Sequence, residues 1–543
     1  MVFARRSTTL LAAIIASCAM VLSLTACTSD NKTVVDGQTT VTSNSAGGVA
    51  VFTPSDGITL NQQTPLNKWA KLVPDLTKAL VDAGFKKGDI NHTTSDSLAK
   101  QSRAIQDFVV DHLSNNTTDD SGIAIAPDNM TLLVAPVVEA DASTRQYGDY
   151  VSQNLSTNDV TDEGATSDGE SSEDDSSKDD SSNTESDSTA SDEQAQAVDR
   201  LVSSLKLAKE SGMHVVLLGN SIEGYKPDAF VKFSDAQTIG KLQAEKMVSK
   251  LKLDKASKDN PKYIEVLLPY TAVDEKGNAN DSTFAQEAFR GIWQVLGSYY
   301  QKGVVESPSG TLDGKSTEND WQAVAYDAAK EGSTAKVLDK RLAKTDGQST
   351  LTRIDGIITM NDYIASEVVK ELDDLGYTGS AADINPQITI SGIVGNITGK
   401  KDLSRDAVPD PIKSPENDNA NDSSSSDDDA DKDTSASDKD RDSQWPLVTG
   451  YGAYVSNIPS IVNGKQWMTG MEDRQTIATD IAQACAKLNK DEALNSMPSI
   501  RNSEVGGVKK IPTISEPLLA VSASNLKSAL IDPGYISLAD AGL

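Results

Sequence analysis

Residues Asp355–Tyr377 read DGIITMNDYIASEVVKELDDLGY, and this stretch decides the fold. Ile354–Met360 is a short strand, apolar on both faces, and a helix is expected over 363–375 directly after it. A strand buried on both faces and followed at once by a helix is the repeating unit of parallel α/β sheets. The same unit recurs on either side. Toward the N-terminus, Gly48–Thr53 is an apolar run. Within Pro65–Gly84, Trp69, Leu72, Val73, Leu76, Leu80 and Val81 fall at helical spacing, with Gly84 placed like a C-cap. A second helix is expected over Gln101–Leu113 and a buried strand over Met130–Val138. There follow a helix at 194–211, strands at His214–Leu218 and Phe230–Phe233, a helix at 236–251, a strand at Tyr263–Leu268, a helix at 282–300 and a strand at Gly303–Glu306. A helix at 319–343, a strand at Leu447–Thr449 and a helix at 473–488 complete the alternation. So many strands exceed one small sheet, and two lobes are expected.

Charge divides the chain into ordered and unordered parts. Its 543 residues hold 50 Lys and Arg against 80 Asp and Glu, a formal net charge of −30. Residues 156–193 carry a net −13 and residues 414–442 a net −8, so two stretches account for −21 of that total. Both are Ser/Asp/Glu-rich and cannot bury enough apolar area to offset the entropy of ordering, so 156–193 and 414–443 are expected as disordered surface insertions. They lack the ligand-and-glycine spacing of a calcium loop. A chain of this balance offers no basic face to nucleic acid and no polybasic grip on anionic lipid.

The N-terminus carries a sorting signal. Arg5 and Arg6 precede an almost unbroken apolar run, Leu10–Leu24, and Leu24-Thr25-Ala26-Cys27 sets small residues before a cysteine. A positive start, a short apolar stretch and a small-residue cleavage site define a secretory signal, and this one resembles a bacterial lipobox. That resemblance implies cleavage before Cys27 and a diacylglycerol on its sulfur, which holds the protein on the outer face of the bacterial cell membrane. No other stretch has the 18 apolar residues of a membrane span. Of the three cysteines, Cys18 and Cys27 lie in the first 27 residues and only Cys485 lies beyond them, which excludes a disulfide framework or a thiolate metal cluster. Three scattered histidines (His92, His112 and His214) make no triad or metal set. With no nucleophile elbow and no phosphate loop either, neither enzymatic activity nor a cofactor is expected.

Several segments together resemble the type I periplasmic binding proteins, in particular the xylose and multiple-monosaccharide binders of ABC importers. They are KWAKLVPDLTKALVDAG (68–84), Asp96–Ile105 with its Gln101, and LLVAPVV (132–138) in the first half. FSDAQTIGKLQAEKM (233–247), residues 355–377, SIVNGKQWMTGMEDRQTIA (460–478) and VSASNLKSALIDPGYIS (521–537) follow in the family's order. The resemblance implies a two-lobed α/β fold, parallel sheets flanked by helices, with three crossovers and a small ligand trapped between the lobes by hinge closure. It divides the chain into a signal peptide at 1–26, a tether at 27–47, a first lobe at 48–233, a second lobe at 234–450 with a long insertion at about 378–443, and crossover segments with C-terminal helices at 451–543.

The resemblance also implies a ligand-binding set: Lys68, Trp69, Glu139, Asn220, Asp235, Asn361, Asp362 and Tyr451. Trp69 matches a Trp at the pocket edge, with Lys68 in place of an Arg; Asp235 matches the acid entering the second lobe; Asn361-Asp362 matches a strand-end pair. Local readings stand beside these. Trp69 also suits a core position at a helix start, and Asp235 and Asp362 each suit a helix N-cap. Other positions depart from the family. Gly219-Asn220 stands for Asp-Arg, Tyr451-Gly452 for Gln-Asp, Val138 (with Glu139 beside it) for an acid, and Phe284 for an Asn. Each lost charge-assisted hydrogen bond weakens sugar binding by about 1.5–3 kcal/mol, so the ligand is not an ordinary free monosaccharide or the site has decayed. The expected function is a lipid-anchored extracellular solute-binding component of an ABC importer, serving a membrane permease and a sugar-like solute. The alternative is a degenerate binding-protein fold acting as a sensor or surface interaction module.

Overall fold

A computed structural model describes residues 34–35, 38–39, 46–55, 65–115, 125–138, 144–156, 185–273, 280–343, 351–382 and 445–543. The chain divides into a unit at Met1–Asn44 and a unit at Ser45–Leu543; the second holds two layered α/β lobes.

The first lobe begins with β1 (Gly48–Pro54), α1 (Trp69–Asp82), β2 (Ile90–Ser95), α2 (Leu98–Asn115), β3 (Met130–Val134) and the short β4 (Asn154–Leu155). It continues with α3 (Glu185–Glu210), β5 (His214–Leu218), β6 (Ser221–Ile222) and β7 (Ala229–Lys232). The chain then enters the second lobe through α4 (Ala236–Leu251), β8 (Lys262–Val266), α5 (Thr283–Gln301), β9 (Val305–Glu306), α6 (Ser333–Arg341), β10 (Gly356–Ile358), α7 (Asp362–Leu375), β11 (Leu447–Tyr451) and β12 (Met468–Met471). It returns through α8 (Arg474–Leu488) to a hairpin of β13 (Ile500–Val505) and β14 (Val508–Ser515), and crosses again to β15 (Leu519–Ser522). The first sheet has the order β13-β14-β7-β5-β3-β1-β2, and the second β9-β8-β10-β11-β12-β15. All neighbours are parallel except β13 with β14 and β12 with β15. Among the described residues the chain therefore passes between the sheets three times, after β7, after β12 and after β14.

Burial explains the layering. β3 and β11 are buried along their whole length, as strands with helices on both faces must be. In the first lobe α1 and α8 cover one face through Trp69, Leu72, Leu76, Leu80, Ile477 and Ile481, and α2 and α3 cover the other. In the second, α4 and α5 lie on one face and α6 and α7 on the other. Each fully buried Leu or Ile in these layers contributes about 1.5–3 kcal/mol of transfer free energy. The α4–α5 crossing is close enough to require glycine: a Cβ on Gly240 would fall 2.2 Å from the Ala288 carbonyl, and one on Gly291 would fall 2.0 Å from that of Gln237.

Several sequence expectations need correction. The helix expected at 194–211 extends over Glu185–Glu210. The single helix expected at 319–343 is a short 3-10 turn, a two-residue strand and α6, because Gly332 takes a left-handed conformation just before Ser333. Residues 451–543 supply strands to both sheets as well as helices. The rest of the acidic stretches, including 414–443, lies outside the described residues.

Candidate functional site: the cleft between the lobes

Ligands of open parallel sheets sit beyond the carboxyl ends of the strands. In the first lobe those ends lead into Asn67–Trp69, Pro136, Asn220 and Ser234. In the second they lead into Asn361, Tyr451 and Glu472. One stretch of the chain touches both groups: residues 146–153, which follow β3.

On the first-lobe side, Asp149 is seated on the start of α1. Its Oδ1 pairs with Lys68 Nζ at 2.8 Å and its Oδ2 accepts the Trp69 amide at 3.0 Å, capping a helix whose own Lys68 supplies no cap. The Asp149 amide donates to the Asn67 carbonyl. Gly148 makes that approach possible: its φ is +92°, and a Cβ there would lie 2.6 Å from the Asn67 oxygen. Tyr150 donates its hydroxyl to the Lys68 carbonyl and packs with Trp69 and Phe233. Downstream, the Ser152 amide bonds to the Ser234 carbonyl and the Gln153 amide to Asn220 Oδ1 at 3.0 Å. β4 then pairs with β6.

On the second-lobe side, Gln146 accepts from Asn361 Nδ2 through its side-chain oxygen at 3.1 Å, and from the Tyr454 hydroxyl through its carbonyl at 2.6 Å. The Tyr147 ring lies 4.7 Å from the Phe284 centroid and 6.3 Å from that of Tyr451. Tyr147 has no solvent exposure and Tyr150 has 1%. Phe284, Tyr451 and Asn220 are thus three of the residues that receive this stretch.

The expected site residues separate into groups. Lys68, Trp69, Asn220, Asn361 and Tyr451 all contact or adjoin residues 146–153. Trp69 is 2% exposed, wedged against Tyr150 and Phe233. Asn361 also caps α7, its Oδ1 accepting the Ile364 amide at 2.9 Å; the cap is Asn361, and Asp362 is the first helical residue. Both Asp362 oxygens are engaged inside the second lobe, by the Tyr454 amide, Gln466 Nε2 and Thr469 Oγ1. Burial pushes this carboxyl up to about 6 even against those bonds. Asp235 caps α4 in a reciprocal capping box with Thr238 and pairs with Lys232. Burial raises its pKa, but Lys232 and Thr238 outweigh that and hold it below the ordinary value. Glu139 and Cys27 lie outside the described residues.

Glu472 was not anticipated, although it stands in the quoted run 460–478. It occupies the crossing from β12 to α8, where Oε1 accepts the Ser234 amide at 2.6 Å and the Tyr451 hydroxyl at 3.3 Å. Tyr451 and Ser234 share a further bond of 2.5 Å. Burial pushes the Glu472 carboxyl up to about 7 and the Tyr451 phenol well above its usual range. Gln146–Gln153 were not anticipated either; beyond the Tyr pair and the Gly, that stretch shows no periodicity, and its partners are remote in sequence.

The chain matches no family model, and no curated protein matches it in sequence. Among solved structures it is similar to an ABC transporter solute-binding protein from Clostridium phytofermentans with bound β-D-glucose, at 16% identity over 91% of this chain and 99% of that chain, with a TM-score of 0.44. A carbohydrate transporter solute-binding protein from Chloroflexus aurantiacus in complex with D-glucose is similar at 19% identity over 92% and 98%, with a TM-score of 0.42. A periplasmic ribose ABC transporter protein from Conexibacter woesei follows at 13% identity over 90% and 96%, also with a TM-score of 0.42. By its own topology the chain is a two-lobed α/β protein with parallel sheets flanked by helices. No helix among the described residues is long and apolar enough to cross a membrane.

Proposed function

We propose that this chain is an extracellular solute-binding protein, anchored by lipid at Cys27, that captures a sugar or sugar-like solute between its lobes and delivers it to an ABC permease. The observation that carries the reading is the convergence of strand ends from both sheets on one region, where Lys68, Asn220, Asn361 and the buried Trp69 and Tyr451 rings all meet residues 146–153. Aromatic faces with a few placed polar groups are what a sugar pocket needs. Within the family, the xylose and multiple-monosaccharide group remains the proposed relative, on the segments that resemble it. The test is thermal unfolding of the purified chain across a panel of monosaccharides and glycosides. A solute at one hundred times its Kd stabilises the folded state by about 2.7 kcal/mol, and a flat response to every sugar refutes the reading.

A second reading, a binding-protein fold serving as a sensor or surface interaction module, is favoured by the presence of the chain's own Tyr147 in the cleft. Its mark is a flat sugar screen together with retention of a protein partner at the cell surface.

A further inference from the structure

We propose that residues Gln146–Gln153 are a resident occupant of the cleft, which holds the lobes together without solute and must leave before solute enters. The inference rests on the solute-binding reading for the displacement step, but not for the occupancy.

Three observations carry it. First, the stretch bonds to both lobes at once: Asp149 to Lys68 and Trp69, Ser152 to the crossing residue Ser234, and Gln146 to Asn361 and Tyr454. A single eight-residue element therefore bridges the two bodies that hinge closure would bring together. Second, it satisfies the groups a solute would use. The Lys68 ammonium, the Asn220 and Asn361 amides and the face between Phe284 and Tyr451 each have a partner from this stretch. Third, it is shaped for the place. Tyr147 and Tyr150 are buried, and the left-handed Gly148 brings the backbone against Asn67.

The consequence is a linkage. If solute binds only the state in which the stretch has left, its apparent Kd is the intrinsic value divided by the fraction of protein in that state. The same fraction governs exchange of the amides that the stretch protects.

Hydrogen exchange on the whole protein tests this without a variant. The Asp149, Ser152 and Gln153 amides donate to Asn67, Ser234 and Asn220, and in the sugar-free protein they should exchange at least about a hundredfold more slowly than unpaired amides. Exchange at the free rate overturns the proposal. D-glucose, D-xylose and D-ribose are then titrated by calorimetry into the wild-type protein and into the Gln146→Ala/Tyr147→Ala variant. A sugar that binds should speed exchange of those three amides, the reverse of ordinary ligand protection. It should also bind the variant more tightly by the factor through which the variant lowers amide protection. Binding with the amides still protected, or with equal affinity for both proteins, overturns the displacement. Protected amides with no sugar bound by either protein sustain the occupant and sink the solute-binding reading instead.

Discussion

Glu472→Gln should make this protein more stable at pH 8 while leaving it nearly unchanged at pH 4.5. The carboxyl is fully buried at the second crossing, and burial raises it from 4.5 to about 7 against the bonds from Ser234 and Tyr451. A carboxyl raised on folding binds more protons in the native than in the unfolded state between those two values. Stability therefore falls as pH rises through that window and is level above it. At about 1.4 kcal/mol per pH unit, the ionised form costs roughly 3 kcal/mol by pH 7.5. Glutamine keeps a carbonyl oxygen to accept the Ser234 amide and carries no charge, so the cost disappears. Asp362, raised to about 6, adds a slope of the same sign in both proteins and cancels in their difference. Urea unfolding of both proteins at pH 4.5, 6, 7 and 8 measures it. The gap should open from within about 1 kcal/mol to about 3 kcal/mol in favour of the variant. Parallel stability curves across that range would refute a neutral, buried Glu472 at the crossing.

Three other outcomes are expected. Cys27→Ser should release the protein from the membrane fraction into the medium, and retention there would sink the lipid anchor. Deletion of 158–183, which stops short of α3, should leave the melting temperature nearly unchanged, since shortening a loop recovers only modest closure entropy; a large drop would show that those residues pack or bind an ion. Asp362→Ala should lower stability by about 3 kcal/mol or more, because the Tyr454 amide, Gln466 and Thr469 lose a buried acceptor; weakened sugar affinity with unchanged urea unfolding would return that carboxylate to the ligand.

Local pattern was enough wherever an element's own residues settle its state. α4 begins and ends where the sequence places it, because Asp235 and Thr238 form a complete capping box around an apolar-faced helix. β3 and β11 show as unbroken apolar runs because helices cover both their faces. β2, with the sequence INHTTS, does not show: it is an edge strand, mostly exposed, and the parallel partner β1 holds it in place rather than any apolar alternation of its own. The β13–β14 hairpin is equally silent, since many of its positions face solvent and its place is set by the pairing of β14 with β7, Thr513 lying opposite Phe230.

The same division runs through the site. Sequence alone determined that the chain alternates strands and helices into two lobes, that its charge is concentrated in two segments, and that polar and aromatic residues stand at the strand ends, because each of these is written in composition or in the spacing of neighbours. Tertiary structure alone decided what those strand-end residues face. Lys68 meets Asp149 from 81 positions away, and Asn361 meets Gln146 across 215. Glu472 meets Ser234 across 238. A hydrogen bond or a ring contact depends on distance in space, and the folding of two sheets around residues 146–153 sets those distances without leaving any mark on the residues that lie between.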